Sequence, residues 1–187
     1  MIILDLDLKP RSYNLEEMKL FRKQTMIKEC IYSPMTDKNI DSVMFIEKAV
    51  FRHPWTRDFF RLIISDKKNY VITIRYGKEI IGYGGYHLIK DKVNFLNTKK
   101  DYRGIIHLIN IAIHPDYQHR GFGTTLLKTL LKNAVSQNAE YCYLEVRPSN
   151  TKAIAFYRKF GFSVIGIIEN YYPQENENAL VMGLELH

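Results

Sequence analysis

The hydrophobic rhythm of the chain is clearest between residues 108 and 135, where it changes period once. Leu108, Ile109, Ile111, Ala112 and Ile113 form a short apolar run that stops at His114-Pro115. Proline has no N–H to give a ladder and biases its predecessor toward extended backbone, so a strand ends there. From Leu126 the apolar residues fall at 126, 127, 130, 131, 134 and 135, one face of a helix of period 3.6. Upstream, Leu4, Leu6 and Leu8 alternate with charged residues until Pro10, a strand pattern, and residues 15–28 are charged and helix-prone. The first core strand is expected over 27–33. Thr36 or Asp37 caps a helix whose apolar positions are Ile40, Val43, Met44, Ala49 and Val50, and Thr56 caps a second bearing Phe59, Phe60, Leu62 and Ile63.

Strands over 69–75 and 79–89 flank a tight turn at Tyr76-Gly77-Lys78, and Gly82, Gly84 and Gly85 in the second predict a bulge or the close approach of another backbone. Residues 90–103 are polar and basic. In residues 140–147, Cys142, Leu144 and Val146 alternate with Tyr141, Tyr143, Glu145 and Arg147, so Glu145 leaves its strand on the side opposite the apolar residues. Ser149-Asn150 starts a helix over 151–160 with Ala153, Ile154, Phe156, Tyr157 and Phe160 inward, closed by Gly161. Two last strands, 162–169 and 179–186, are joined through Asn170-Tyr171-Tyr172-Pro173.

Composition narrows this to one globular domain, since 187 residues with 46% apolar content can bury a substantial core. No apolar run is long enough to cross a membrane, and the opening MIILDLDLKP lacks the basic leader of a secretory signal. Cys30 and Cys142 form no paired motif, which suggests reduced thiols in a cytoplasmic protein. The six histidines show no ligand spacing, and no metal is assigned. The net charge of +7 suits a polyanionic cofactor or an RNA-rich neighbourhood, although such a charge is often only a solvated surface.

Candidate chemistry enters between strand and helix, at Gln118-His119-Arg120-Gly121-Phe122-Gly123. A glycine turn opening a helix presents unpaired N–H groups at the positive end of the helix dipole, which is a cradle for phosphate. A P-loop requires Gly-Lys-Ser/Thr, but Thr124 follows Gly123 directly; a dinucleotide fingerprint requires glycine where Leu126 stands. The Q/R-x-x-G-x-G/A turn that grips the pyrophosphate of coenzyme A is matched by Gln118, Gly121 and Gly123.

The strings NIAIHPDYQHRGFG, LEVRPSNTKAIAFYRKFGF, NYYP and ALVMGLEL, with PWT upstream, resemble the GNAT superfamily of N-acetyltransferases. Within it they resemble the RimI-type enzymes, which acetylate the α-amino group of a ribosomal protein. The resemblance covers residues 30–187 and leaves 1–29 as an extension. It implies a mixed, mostly antiparallel α/β sheet with helices on both faces. It further implies acetyl-CoA as cofactor, its pantetheine on the backbone of Ile111, Ala112 and Ile113, and its pyrophosphate on Gln118, His119, Arg120, Gly121, Phe122, Gly123 and Thr124.

By the same resemblance Asn150 contacts the cofactor, Glu145 takes the amine's proton and Tyr157 gives one to the departing thiolate. Trp55, Tyr171 and Tyr172 wall the acceptor site. On their own residues, Glu145 could pair with Arg147 or face solvent, Trp55 could anchor the core, Tyr157 could simply pack, Tyr171 and Tyr172 could be edge packing, and the glycine turn could merely connect strand to helix. The implied partner is a protein N-terminus, with no membrane and no direct nucleic-acid contact, for a monomer or weak homodimer. Two departures from the RimI pattern are the long 90–103 segment and Asn178, where an acidic residue is expected. Two other functions fit fewer residues: acetylation of a lysine or small amine, and a basic ribosome- or RNA-binding module without catalysis.

Overall fold

A computed structural model describes residues 24–90 and 102–187. Most of the expected extension, including the strand pattern at Leu4, Leu6 and Leu8, and the core of the 90–103 segment lie outside the described residues. In chain order the elements are β1 (Ile31–Pro34), α1 (Ile40–Val50), α2 (Arg57–Ser65), β2 (Asn69–Tyr76), β3 (Glu79–Ile89), β4 (Ile105–Ile113), α3 (Phe122–Ser136), β5 (Tyr141–Val146), α4 (Thr151–Arg158), β6 (Ser163–Tyr172) and β7 (Glu177–Glu185). The described strands form one sheet in the order β1-β2-β3-β4-β5-β7-β6. Every neighbouring pair is antiparallel except β4 and β5, which α3 joins as a crossover.

Alternation along the strands sorts side chains onto two faces. Ile72, Ile74, Ile106, Leu108, Cys142, Leu144 and Val146 join one core cluster with Leu126, Leu127 and Leu130 of α3 and Ile154 and Tyr157 of α4. On the opposite face Tyr83 and Ala112 pack with Ile40, Val43 and Ile46 of α1 and Phe60 of α2. The mixed sheet with helices on both faces thus stands as the resemblance implied. Thr56 caps α2 by accepting from the Phe59 N–H at 3.2 Å, and Gly77 takes φ +59° in the β2–β3 turn.

Four local expectations are corrected. The first core strand begins at Ile31 rather than 27, because residues 24–28 are helical and Cys30 still donates its N–H to the Ile27 carbonyl. In α1 Ala49 is exposed and Glu47 is buried instead, sharing its face with Ile40 and Val43. β4 starts three residues earlier than the apolar run suggested, taking in His107. Tyr171 and Tyr172 end β6 instead of lying in the connector, and Asn170 bends that end with φ +52°.

Candidate active site

The sheet is split where its parallel pair runs out. β4 and β5 pair only at Ile105–Tyr141, Ile106–Cys142 and His107–Tyr143. Beyond these, β4 stays on β3 as far as Ile113 and β5 stays on β7 as far as Val146. A bulge marks the parting: Gly85 faces Asn110 but Tyr86 faces Leu108, leaving Ile109 extra on β4. The two strands diverge as a wedge, and among the described residues no strand covers the β5-facing edge of β4 beyond His107. Backbone groups there need polar partners. An extended, amide-bearing ligand can pair with the backbone of Ile111, Ala112 and Ile113.

The wedge leads to the glycine turn. After a single 3₁₀ turn over Pro115–Tyr117, the Gln118 side chain folds back and donates Nε2 to the Ile113 carbonyl at 2.9 Å, locking turn to strand end. His119 and Gly121 both have left-handed backbone, φ +59° and +92°. An L-residue at Gly121 would cost roughly 1–2 kcal/mol. Gly123 has a different role: a Cβ there would meet nothing nearer than 3.8 Å, so the position tolerates a side chain sterically and its bareness keeps the approach to the helix open. The first intrahelical acceptor of α3 is the Gly121 carbonyl, used by the Thr125 N–H, so the N–H groups of Phe122, Gly123 and Thr124 have no acceptor within the helix. The Phe122 ring is buried in the core and offers only its backbone, while the Arg120 guanidinium lies over the Tyr117 ring at 5.5 Å.

On the α1–α2 face a polar row crosses the sheet. Glu145 Oε2 lies 2.5 Å from His107 Nε2, and the His107 ring stacks on Tyr143 at 4.5 Å. Arg147, the alternative partner of Glu145, pairs instead with Glu175 across the β6–β7 turn at 2.5 Å, and His53 Nε2 meets the same oxygen at 3.2 Å. This triad ties the loop after α1 to the β6–β7 turn. Burial raises the phenols of both Tyr171 and Tyr172, the latter up to about 12, and the nearby charge of Glu145 adds to the rise in each. Asn178, the departure noted in the sequence, accepts from the Asn170 N–H at 3.0 Å and so holds the bend before the tyrosines.

Trp55 is half-buried in the core cluster of that face, edge-on to Phe59 at 4.7 Å, and its backbone N–H donates to Glu47 Oε1 at 2.9 Å. Glu47 also accepts from the Tyr83 hydroxyl, which in turn accepts from Asn110 Nδ2 at 3.0 Å. Burial pushes the Glu47 carboxyl from its ordinary 4.5 up to about 7. A folded-state pKa above the unfolded one means that the ionised carboxylate is penalised only in the fold. The resulting stability is complete below about pH 4.5 and is lost as pH rises through about 7. Chemical denaturation at stepped pH should show wild type losing about 3 kcal/mol relative to Glu47→Gln over that window. Parallel curves would show that Glu47 carries no such penalty.

On the other face, Tyr157 is buried between the Phe156 and Phe162 rings, and burial, with smaller contributions from Cys142 and Tyr172, drives its phenol well above the ordinary value of 10. Asn150 caps α4, its Oδ1 accepting from the Ala153 N–H at 3.2 Å, so its Nδ2 hydrogens are what it can offer a ligand. The polar row and the buried phenol thus lie on opposite faces of the strands that part at the wedge.

Comparison with known proteins decides the family of this arrangement. The pattern of the acetyltransferase (GNAT) family matches residues 40–162. The chain belongs to that family. Among its GNAT relatives, a Bacillus subtilis protein is 30% identical over 151 residues, 80% of this chain and 91% of that protein, and carries the name [ribosomal protein bS18]-alanine N-acetyltransferase in provisional form. The [ribosomal protein bS18]-alanine N-acetyltransferase of Salmonella typhimurium is 43% identical over 81 residues, 42% of this chain and 55% of its own length. The crystal structure of the ribosomal-protein-S18-alanine N-acetyltransferase from Escherichia coli superposes with a TM-score of 0.70 at 26% identity, over 84% of this chain and 94% of that one.

Sequence reasoning missed His107, Glu47, Tyr83, Asn110 and the Arg147–Glu175 pair. Two had a readable signal. His107 is the one polar residue within the run IIHLI, and Glu47 sits four residues after Val43 and seven after Ile40, on the apolar stripe of α1. The others depend on pairing between distant strands, which local pattern does not encode.

Proposed function

We propose that this GNAT enzyme moves the acetyl group of acetyl-CoA to the α-amino group at the N-terminus of a protein, with a ribosomal protein of the bS18 kind as acceptor. The observation that carries the reading is the wedge between β4 and β5, with the Glu145 carboxylate on one face of the sheet and the Tyr157 phenol on the other. Residues 111–113 hold the pantetheine arm by backbone pairing, and the N–H groups at the start of α3 hold the pyrophosphate. Acetyl-CoA supplies a thioester to be attacked by an amine. The amine must be neutral to attack, and Glu145 takes its first proton; Tyr157 protonates the departing thiolate, and the second proton that the nitrogen sheds as the amide forms restores the phenol. An α-amine, with an ordinary pKa of ~7.7–8.0, is easier to deprotonate at neutral pH than lysine at ~10.4 by roughly 3–4 kcal/mol, so one carboxylate suffices.

The acceptor's first residues enter over Tyr171 and Tyr172, beneath the loop that Trp55 anchors and Glu175 straps down. The names and overlap of the bacterial relatives support this substrate class. The test is release of free coenzyme A with alanine-, serine- and methionine-starting peptides, a bS18 N-terminal peptide among them, against N-blocked peptides carrying lysine. Turnover on the blocked lysine peptides equal to that on free N-termini would overturn the α-amine reading. In the same series Gly123→Val should fold normally yet bind acetyl-CoA at least tenfold more weakly by calorimetric titration; undiminished affinity in the folded variant would remove the pyrophosphate assignment.

A further inference from the structure

One carboxylate sits where the apolar stripe of α1 calls for a hydrocarbon. Glu47 lies one turn after Val43 and is 1% exposed. A leucine there would escape the penalty that the buried carboxyl carries as pH rises through about 7. What the glutamate does instead is hold both ends of the loop that follows. Its backbone carbonyl accepts from the Phe51 N–H and its Oε1 from the backbone N–H of Trp55, each at 2.9 Å. Its other oxygen accepts from the Tyr83 hydroxyl, which accepts in turn from Asn110 Nδ2 at 3.0 Å. Tyr83 stands opposite Ala112 in the β3–β4 ladder, and Asn110 directly precedes Ile111. The residue that closes the loop is therefore hydrogen-bonded to the strand whose bare edge faces the wedge.

We infer that Glu47 is a positioning residue that fixes the Phe51–Trp55 loop against β3 and β4 and thereby sets the room left for the acceptor's first side chain. Both carboxylate oxygens are taken, one by the loop and one by the sheet, so the two are held at one separation. The Trp55 ring follows its backbone, edge-on to Phe59 and 5.5 Å from Phe60. His53, within the same loop, reaches Glu175 on the β6–β7 turn. A wall pinned at both ends and in its middle leaves a gap of fixed width between itself and the Tyr171–Tyr172 end of β6. Such a gap separates small first residues from large ones, because a bulky side chain must push the wall back against these bonds. Glu47 touches neither substrate and acts through the loop. The inference rests on the reading that this loop walls the acceptor site.

The test measures kcat and KM near pH 7 on alanine-, serine- and methionine-starting peptides. Glu47→Leu fills the stripe but leaves the Trp55 N–H without its acceptor. It should raise peptide KM about tenfold, the effect of one orphaned buried donor, with acetyl-CoA affinity little changed because β4 keeps its ladder with β3. The spread of kcat/KM among the three peptides should narrow in the same variant. Glu47→Asp keeps the charge but stops one methylene short, and should behave alike; it carries the test if E47L folds poorly. Glu47→Gln still offers an oxygen to Trp55 and should stay within about threefold of wild type. Trp55 is the chain's only tryptophan, so acrylamide should quench the fluorescence of E47L and E47D more readily than that of E47Q. No spread in wild type, wild-type KM and spread in folded E47L and E47D, or losses in E47Q as large as theirs would overturn the clamp. A wild type that turns over no free N-terminus would instead remove the acceptor reading beneath it.

Discussion

Glu145→Gln is expected to lower kcat/KM on an alanine-starting peptide by about 10²–10⁴-fold at neutral pH, the span over which a general base contributes. The substitution keeps the side-chain shape and a hydrogen-bonding oxygen toward His107, so the strand and its pairing with β7 should be undisturbed. What it removes is the acceptor for the amine's proton. The loss should shrink as pH rises past ~8, where the α-amine is already neutral, and a lysine acceptor should not recover over the same range because its own pKa is more than ~2 units higher. A pH series of kcat/KM for wild type and E145Q settles the point. Equal proportional loss at every pH would make Glu145 a group that positions the acceptor, with the base elsewhere.

Tyr157→Phe should lower kcat by a similar 10²–10⁴-fold while acetyl-CoA affinity changes little. The ring is what packs against Phe156 and Phe162, and phenylalanine retains it, so the core has no reason to rearrange. Burial raises the phenol, which keeps it protonated throughout the working range and rules out an alkaline limb from its ionisation below about its ordinary pKa of 10. A thiolate formed beside it is an anion in the same apolar surroundings and is raised as well, so the transfer is less uphill than the isolated phenol would suggest. Single-turnover rates with Y157F give the test. A variant with undiminished kcat would leave Tyr157 as a packing residue.

The parts of this molecule that could be read from sequence are those whose signals are local. The stripe at 126, 127, 130 and 134 is the buried face of α3, the glycines of β3 sit where backbones crowd, and Gly121 takes the left-handed turn. A Cβ at Gly82 would lie 2.8 Å from the Ala112 carbonyl, which is why that strand gives up side chains there. The wedge was not legible in the residues alone, because it arises from where a parallel ladder stops, and nothing in Leu108 or Leu144 states that they do not pair. The bulge at Ile109 has the same origin, and it places Asn110 on the face of Glu47 and Tyr83. Arg147 pairs with Glu175, 28 residues away, so its separation from Glu145 depended on the β6–β7 hairpin.

The sheet is effectively two antiparallel leaves, β1–β4 and β5–β7, hinged on three residues of parallel ladder. That seam is short, and parallel pairing is slightly weaker per residue than antiparallel, so the leaves part there at the lowest cost. On the proposed reading, a donor lying along the bare edge of β4 and touching β5 would serve as the strand the sheet lacks. Its binding free energy would then also be cohesion between the leaves, about 2.7 kcal/mol at a hundredfold excess over Kd, and the expected readout is slowed amide exchange in residues 108–113. The donor molecule would in this sense be part of the architecture, and each release of coenzyme A would loosen the protein that has just used it.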